Sequence, residues 1–347
     1  MKLTSEIFAN GQIVREPAGS GPGFWAGAPG AFFAADERAW YLTYRLRRPR
    51  GIQPDRGGEA RIARSADLQH WEDVWSITKD QYHSASIEKS AIRKGADGQW
   101  RYFTSFVDST DGRWCVAALK AREAVKFDAT RARALFKAAP LGLEGIKDPW
   151  LLEWRGMFYM FLSVAVATPK TTGQSHSTLD IFNTGECVSA TGVATSRDLD
   201  HWEWQGVVFT PSSVLPAPCR QELNGTSGKM PEARLVHPAG WDCYCRRINS
   251  VITVNGKFLG FYDGSAGHAE NYEEKTGLTI SADLRDWKSL TPDGPAFTSP
   301  FASKSLRYID AHVIGGEAVL FYEFARADGA HDLRVVKASA GALPELI

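Results

Sequence analysis

No charge of either sign dominates this sequence. Lysine plus arginine and aspartate plus glutamate each total 40 in 347 residues, and the pI is near 7.1. A balanced chain gives no electrostatic basis for nucleic acid or an anionic membrane surface as partner, and neither is expected. Long apolar runs are also missing. The most apolar stretch, 157–167, is too short to cross a bilayer. The opening "MKLTSEIFANGQIV" has no basic segment leading into a long apolar one, so no signal peptide is read and a cytoplasmic location is expected. Cysteine is scarce. The five present (Cys115, Cys187, Cys219, Cys243, Cys245) are odd in number and scattered, which argues for reduced thiols rather than a disulfide framework. Cys243-Tyr244-Cys245 has one intervening residue and no second pair at zinc-ligand spacing, so no metal site is assigned there. Helical periodicity is almost absent. Aromatics, in contrast, reach 12 % and include 12 Trp, which suits β architecture and sugar stacking alike, and which packing alone also explains.

What is present is a repeat. "SADLQHW" (Ser65–Trp71), "SRDLDHW" (Ser196–Trp202) and "SADLRDW" (Ser281–Trp287) are near copies, each after a short β-like run: "EARIAR", "TGVAT", "TGLTI". Ser and Asp can cap a short turn through backbone N–H groups, while Leu and Trp anchor it, so the heptad reads as a structural corner. Degraded copies lie in "RWCVAALKAREAVKF" (Arg113–Phe127) and "DLRVVKASAGAL" (Asp332–Leu343). An aromatic-rich strand entered through a tight turn precedes each of the five: "DERAWYLTYRL", "ADGQWRYFTSF", "WRGMFYMFLS", "VNGKFLGFYDG" and "GGEAVLFYEFA". Another apolar strand precedes each turn. Strand, turn, strand, loop, strand and a fourth strand after the corner, five times over, predict an all-β fold. It is a five-bladed β-propeller with four antiparallel strands per blade, a single domain over 1–347.

In a propeller the first strand of each blade lines the channel. Its start shares a face with the loops between second and third strands, which are long in blades one (47–59), three (165–185) and four (263–275). Five windows are thereby expected at the channel mouth: Gly27–Gly30, Glu88–Ser90, Lys147–Pro149, Arg247–Asn249 and Arg307–Asp310. Glu88, Asp148 and Asp310 then converge from separate blades, as glycoside hydrolysis requires of a proton donor and a second carboxylate. Lys89, Lys147, Arg247 and Arg307 in the same windows either pair with these acids or hold an anionic group such as a uronate, a sulfate or phosphate.

Five blades with S-x-D-L-x-x-W corners, and "KDP" opening the third blade, resemble the five-bladed β-propeller glycosidases (glycoside hydrolase families 43, 32, 62, 117 and 130) over essentially the whole chain. The resemblance implies that Asp148 is the blade-three carboxylate that tunes the acid and binds the sugar. It also implies a blade-one Asp and a blade-four Glu, but "WAGAPGAFF" and "CRRINSV" supply neither. The replacements are Glu88, Asp310 and Glu232 ("KMPEARLVHP"), with His83, His176 and His268 as acids or hydrogen bonders. Asn249 joins the basic residues as a substrate contact, and Trp25, Tyr82, Tyr244 and Tyr308 are placed for sugar stacking. Trp71, Trp202 and Trp287 are assigned to packing. The expected activity is inverting hydrolysis of a small carbohydrate, neutral or anionic, without a cofactor; a structural ion in the channel and the oligomeric state stay open. Phosphorolysis, elimination on a uronate, and non-catalytic carbohydrate binding are the alternatives.

Overall fold

A computed structural model of the chain describes residues 3–211 and 240–346. A short N-terminal strand, β1 (Gln12–Arg15), leads into blade one: β2 (Trp25–Ala34), β3 (Ala39–Arg48), β4 (Arg56–Ser65) and β5 (Glu72–Thr78). Blade two holds β6 (Ile87–Lys94), β7 (Trp100–Val107), β8 (Trp114–Ala121) and β9 (Arg133–Phe136). Blade three holds β10 (Gly145–Trp154), β11 (Met157–Ala167), β12 (Cys187–Ser196) and β13 (Glu203–Phe209). Blade four holds β14 (Cys245–Val254), β15 (Lys257–Ser265), β16 (Lys275–Ser281) and a two-residue β17 (Lys288–Ser289). Blade five holds β18 (Leu306–Ile314), β19 (Glu317–Ala325) and β20 (His331–Ser339). Within each blade, neighbouring strands pair antiparallel in sequence order.

One strand departs from the repeat. The fourth strand of blade five does not follow β20; it is β1, which pairs antiparallel with β20 through Gln12 and Val335. The C-terminal segment after β20 instead forms a short 3-10 stretch, Ala340–Leu346. The two ends of the chain therefore share one blade.

Apolar side chains are gathered between blades. Buried clusters fill the seams: Tyr41, Ile62 and Trp100 between blades one and two; Phe103, Val116 and Met160, with a second cluster around Trp114 and Phe182, between two and three. Phe161, Ile248 and Phe258 fill the seam between three and four, Leu259, Phe261 and Leu320 that between four and five, and Leu42, Phe321 and Leu333 that between five and one. The heptads explain how neighbours lock. In each, the serine Oγ accepts the Leu N–H at 2.9 Å and the Asp Oδ1 accepts the next two N–H groups. That turn holds Leu68, Leu199 and Leu284 in the left-handed region (φ 66, 66 and 67°). The tryptophan is then set edge-on against a second-strand phenylalanine of the preceding blade: Trp71 on Phe321, Trp202 on Phe103 and Trp287 on Phe161. Each such ring pair adds about 0.5–1.5 kcal/mol beyond the area it buries.

Candidate active site

The first strand of every blade is bulged at the same height. Its pairing with the second strand shifts register between Gly27 and Gly30, Ile87 and Ser90, Lys147 and Trp150, Ile248 and Ser250, and Arg307 and Asp310. A bulge adds one residue, bends the strand and re-aims side chains. These five shifts coincide with the five windows read from the sequence. Three of the bulges hold a non-glycine residue at positive φ: Ala28 (53°), Asp148 (58°) and Tyr308 (54°). Such a conformation costs roughly 1–3 kcal/mol and persists only where the surroundings enforce it.

The enforcing contact comes from the preceding blade. Ala28 N–H donates to Glu323 (3.1 Å), Asp148 N–H to Ser105 Oγ (2.8 Å), Ile248 N–H to Thr191 Oγ1 (2.8 Å) and Tyr308 N–H to Asp263 Oδ1 (2.9 Å). Gly27 is dictated by the same packing, since a Cβ there would stand 2.0 Å from Glu323 Oε2. Glu323 of blade five thus lies against the blade-one window, which has no carboxylate of its own.

Around the mouth the second strands supply charge as well. Arg247 pairs in register with Asp263, and Arg307 with Glu323. A belt of alternating buried charges results. Arg47 meets Glu88 (3.0 Å), Glu88 meets Arg45 (2.5 Å), and Arg45 meets Glu323 (3.5 Å). Glu323 meets Arg307 (2.6 Å), Arg307 meets Glu274 (2.6 Å), Glu274 meets Arg247, and Arg247 meets Asp263 (3.9 Å). His331 bridges Glu323 and Glu273 at 2.8 and 2.9 Å. Burial of this many charges is tolerated only because each has an opposite neighbour.

Tyr308 lies against the belt, its ring 5.0 Å from the Arg307 guanidinium, 5.9 Å from Arg45 and 5.6 Å from the Lys89 ammonium. Its hydroxyl donates to Asp148 Oδ2 at 3.3 Å, and Lys147 Nζ stands 3.6 Å from the same oxygen. Trp25 stacks on His331 and packs 4.9–5.8 Å from the guanidiniums of Arg307, Arg47 and Arg45.

The carboxyls differ in what surrounds them. Burial alone would raise Glu88, but Arg45, Lys147 and Arg47 outweigh it and hold the group down to about 2. Asp263 goes the other way. Burial pushes it up to about 7; Arg247 opposes the rise and Glu274 reinforces it. Asp263 Oδ2 and Asp148 Oδ1 are buried without a hydrogen-bond partner among the described residues. So are Trp25 Nε1, Arg45 Nη1 and Nη2, Arg247 Nε and Nη1, and Asn249 Nδ2. Buried polar atoms are rarely left unpaired, and a group of them in one place marks a place for a polar ligand.

No family model matches this sequence, and no curated protein sequence matches it. Solved structures do. A thermostable family-43 glycoside hydrolase superimposes with a TM-score of 0.60 at 12 % identity, covering 94 % of this chain and 92 % of that one. A β-1,2-mannobiose phosphorylase from Listeria innocua gives 0.58 at 12 % identity over 96 % and 95 %. An endo-arabinase from Bacteroides thetaiotaomicron VPI-5482 gives 0.56 at 13 % identity over 94 % and 97 %. The fold is that of the β-propeller glycosidases.

On that propeller glycosidase fold, the structure gathers Trp25, Glu88, Lys89, Lys147, Asp148, Arg247, Asn249, Arg307 and Tyr308 at the mouth, all buried. Lys89 reaches across the channel, donating to the Asn249 carbonyl at 3.3 Å. Other expected residues are already committed to partners or lie elsewhere. Asp310 is spent on Trp150 Nε1 (2.7 Å), Ala31 N–H (2.5 Å) and His312 (2.9 Å), which makes it a strut between blades rather than a free carboxylate. Glu88 is likewise committed to two arginines, with no proton to give near neutral pH. Exposed His83 ends the 3-10 turn Lys79–Tyr82, and Tyr82 stacks on Phe106 at 4.7 Å. His268 is exposed on the blade-four loop, His176 pairs with Glu144 (2.8 Å), and the Tyr244 hydroxyl donates to the Phe182 carbonyl. Glu232 lies outside the described residues. Sequence reasoning missed Arg45, Asp263, Glu274 and Glu323. The signal for three of them was the cross-strand partner of each window, "TYRL", "FYDG" and "FYEF" in the second strands.

Proposed function

We propose that the protein is a glycoside-processing enzyme whose reaction centre is the channel mouth. The supporting observation is the pair of unpartnered carboxyl oxygens, Asp263 Oδ2 and Asp148 Oδ1, linked through Tyr308, whose N–H bonds one acid and whose hydroxyl bonds the other. Asp263, its carboxyl raised by burial so that it keeps its proton up to about pH 7, donates that proton to the leaving glycosidic oxygen. Asp148, with Oδ2 fixed by Tyr308 and facing Lys147, uses Oδ1 to hold the sugar or to orient the water that attacks the anomeric carbon. Hydrolysis then breaks the bond between the anomeric carbon and the leaving oxygen, forms one to the water oxygen, and returns a proton to the site. Trp25, its ring covered by His331 and the guanidiniums, leaves its unpartnered Nε1 for the ligand.

The test is a panel of aryl glycosides and oligosaccharides assayed with Asp263→Asn and Asp148→Asn. Loss of the Asp263 carboxyl should lower turnover about 10²–10⁴-fold on glycosides with poor leaving groups. Activated aryl glycosides, which need little protonation, should be affected far less. Equal loss on both substrate types would remove Asp263 from the acid role, and full activity in both variants would move the reaction centre away from the mouth.

A further inference from the structure

We infer that the mouth accepts an oxyanionic group of its ligand, held by Arg45 and Arg247; this rests on the mouth being the reaction centre. Among the described residues on the belt and packed against it, six buried nitrogens make no hydrogen bond: Trp25 Nε1, Arg45 Nη1 and Nη2, Arg247 Nε and Nη1, and Asn249 Nδ2. Among the described residues, the carboxyl oxygens left without a hydrogen bond are two, Asp148 Oδ1 and Asp263 Oδ2. A sugar hydroxyl can accept from such donors but also brings a donor of its own. A carboxylate, sulfate or phosphate only accepts, and it does so at several lone pairs.

The geometry of Arg45 is specific. Its Nε is given to Glu88, and the outer Nη1–Nη2 edge makes no hydrogen bond among the described residues, Nη2 lying 3.5 Å from Glu323 in the belt's ion pair. That edge is the fork that oxyanions match with two parallel bonds. Arg247 gives Nη2 to Glu274 and keeps Nε and Nη1. Both side chains are 1 % exposed. Charge points the same way. Six cations at or beside the mouth (Arg45, Arg47, Lys89, Lys147, Arg247, Arg307) face six carboxyls (Glu88, Asp148, Asp263, Glu274, Asp310, Glu323). Protonation of one acid, as the proposed chemistry requires, leaves a positive charge in excess.

The oxyanion is carried by the sugar, as a uronate carboxylate or a sulfate, or is supplied as free phosphate. Calorimetric titration of the full chain with D-glucuronate, D-glucose, inorganic sulfate and inorganic phosphate separates the sources. At least one anion should bind ten or more times tighter than glucose. Arg247→Lys should weaken it tenfold or more, and Asn249→Ala, which leaves every ion pair of the belt in place, severalfold at an unchanged melting temperature. Tight glucuronate or sulfate with weak phosphate assigns the group to the sugar, and phosphate binding with phosphate-dependent turnover assigns it to a co-substrate. Glucose binding as well as any anion, or no anion binding to folded protein, overturns the inference. Anion binding without turnover of any glycoside would keep the oxyanion site and reject the glycoside chemistry.

Discussion

Asp263 and Glu88 are both fully buried carboxyls, and what separates them is the number of cations within reach. Three cations hold Glu88 below its unfolded value of about 4.3, so its contribution to stability is present above that pH and is lost as pH falls toward about 2. Glu88→Gln leaves Arg45 and Arg47 buried and short of charge. A loss of about 3–5 kcal/mol is expected at pH 7, read as a lower denaturant midpoint, with parent and variant converging in acid. Asp263 is raised above its unfolded value of about 3.9, so the stability it allows is complete below pH 4 and declines as pH rises through about 7. Asp263→Asn removes that decline. The variant should melt higher than the parent at pH 8 while losing turnover, and the parent's kcat/KM should fall as pH rises past about 7. A parent profile flat to pH 9 would contradict the acid role.

At the scale of the element, the bulges control the mouth. Ala28 sits at φ 53° with no exposure. Ala28→Gly should be neutral or stabilising by up to about 1 kcal/mol, and Ala28→Val clearly destabilising, in thermal melts. The corners carry a smaller, separable share: Ser196→Ala removes the oxygen that accepts Asp198 and Leu199 N–H, at a cost of about 1 kcal/mol. Corners were legible in the sequence because their bonds run between residues at most three apart, so the motif repeats as text. The windows were legible because hairpin turns fix the register of the first strand. Asp263 and Glu323 were not, because a one-residue bulge decides which second-strand side chain faces Arg247 or Arg307, and nothing in "FYDG" or "FYEF" announces a bulge one strand away. His83 and His268 lie on segments assigned to the face of the mouth but are exposed, whereas Tyr272 and Glu274 of the blade-four loop pack into it.

Across the whole molecule, each blade packs on its two neighbours, and the mouth brings all five together. Blade five is joined to blade one by Trp25 paired with His331 and by β1 on β20. Val14 is buried among Leu42, Phe321 and Leu333. Val14→Asp should therefore open this seam first. Hydrogen exchange in 317–339 should rise before that in 145–167, and the bared β20 edge should promote association at high protein concentration.

Strand β1 also fixes the order in which the protein can be made. During synthesis the segment 12–15 emerges some three hundred residues before its partner, 331–339. Blades two to four can each pair from strands close in sequence, while β1 waits unpaired for some three hundred residues. The ring therefore closes in one late step between distant parts of the chain, and the charges of the belt are fully neutralised only after that step.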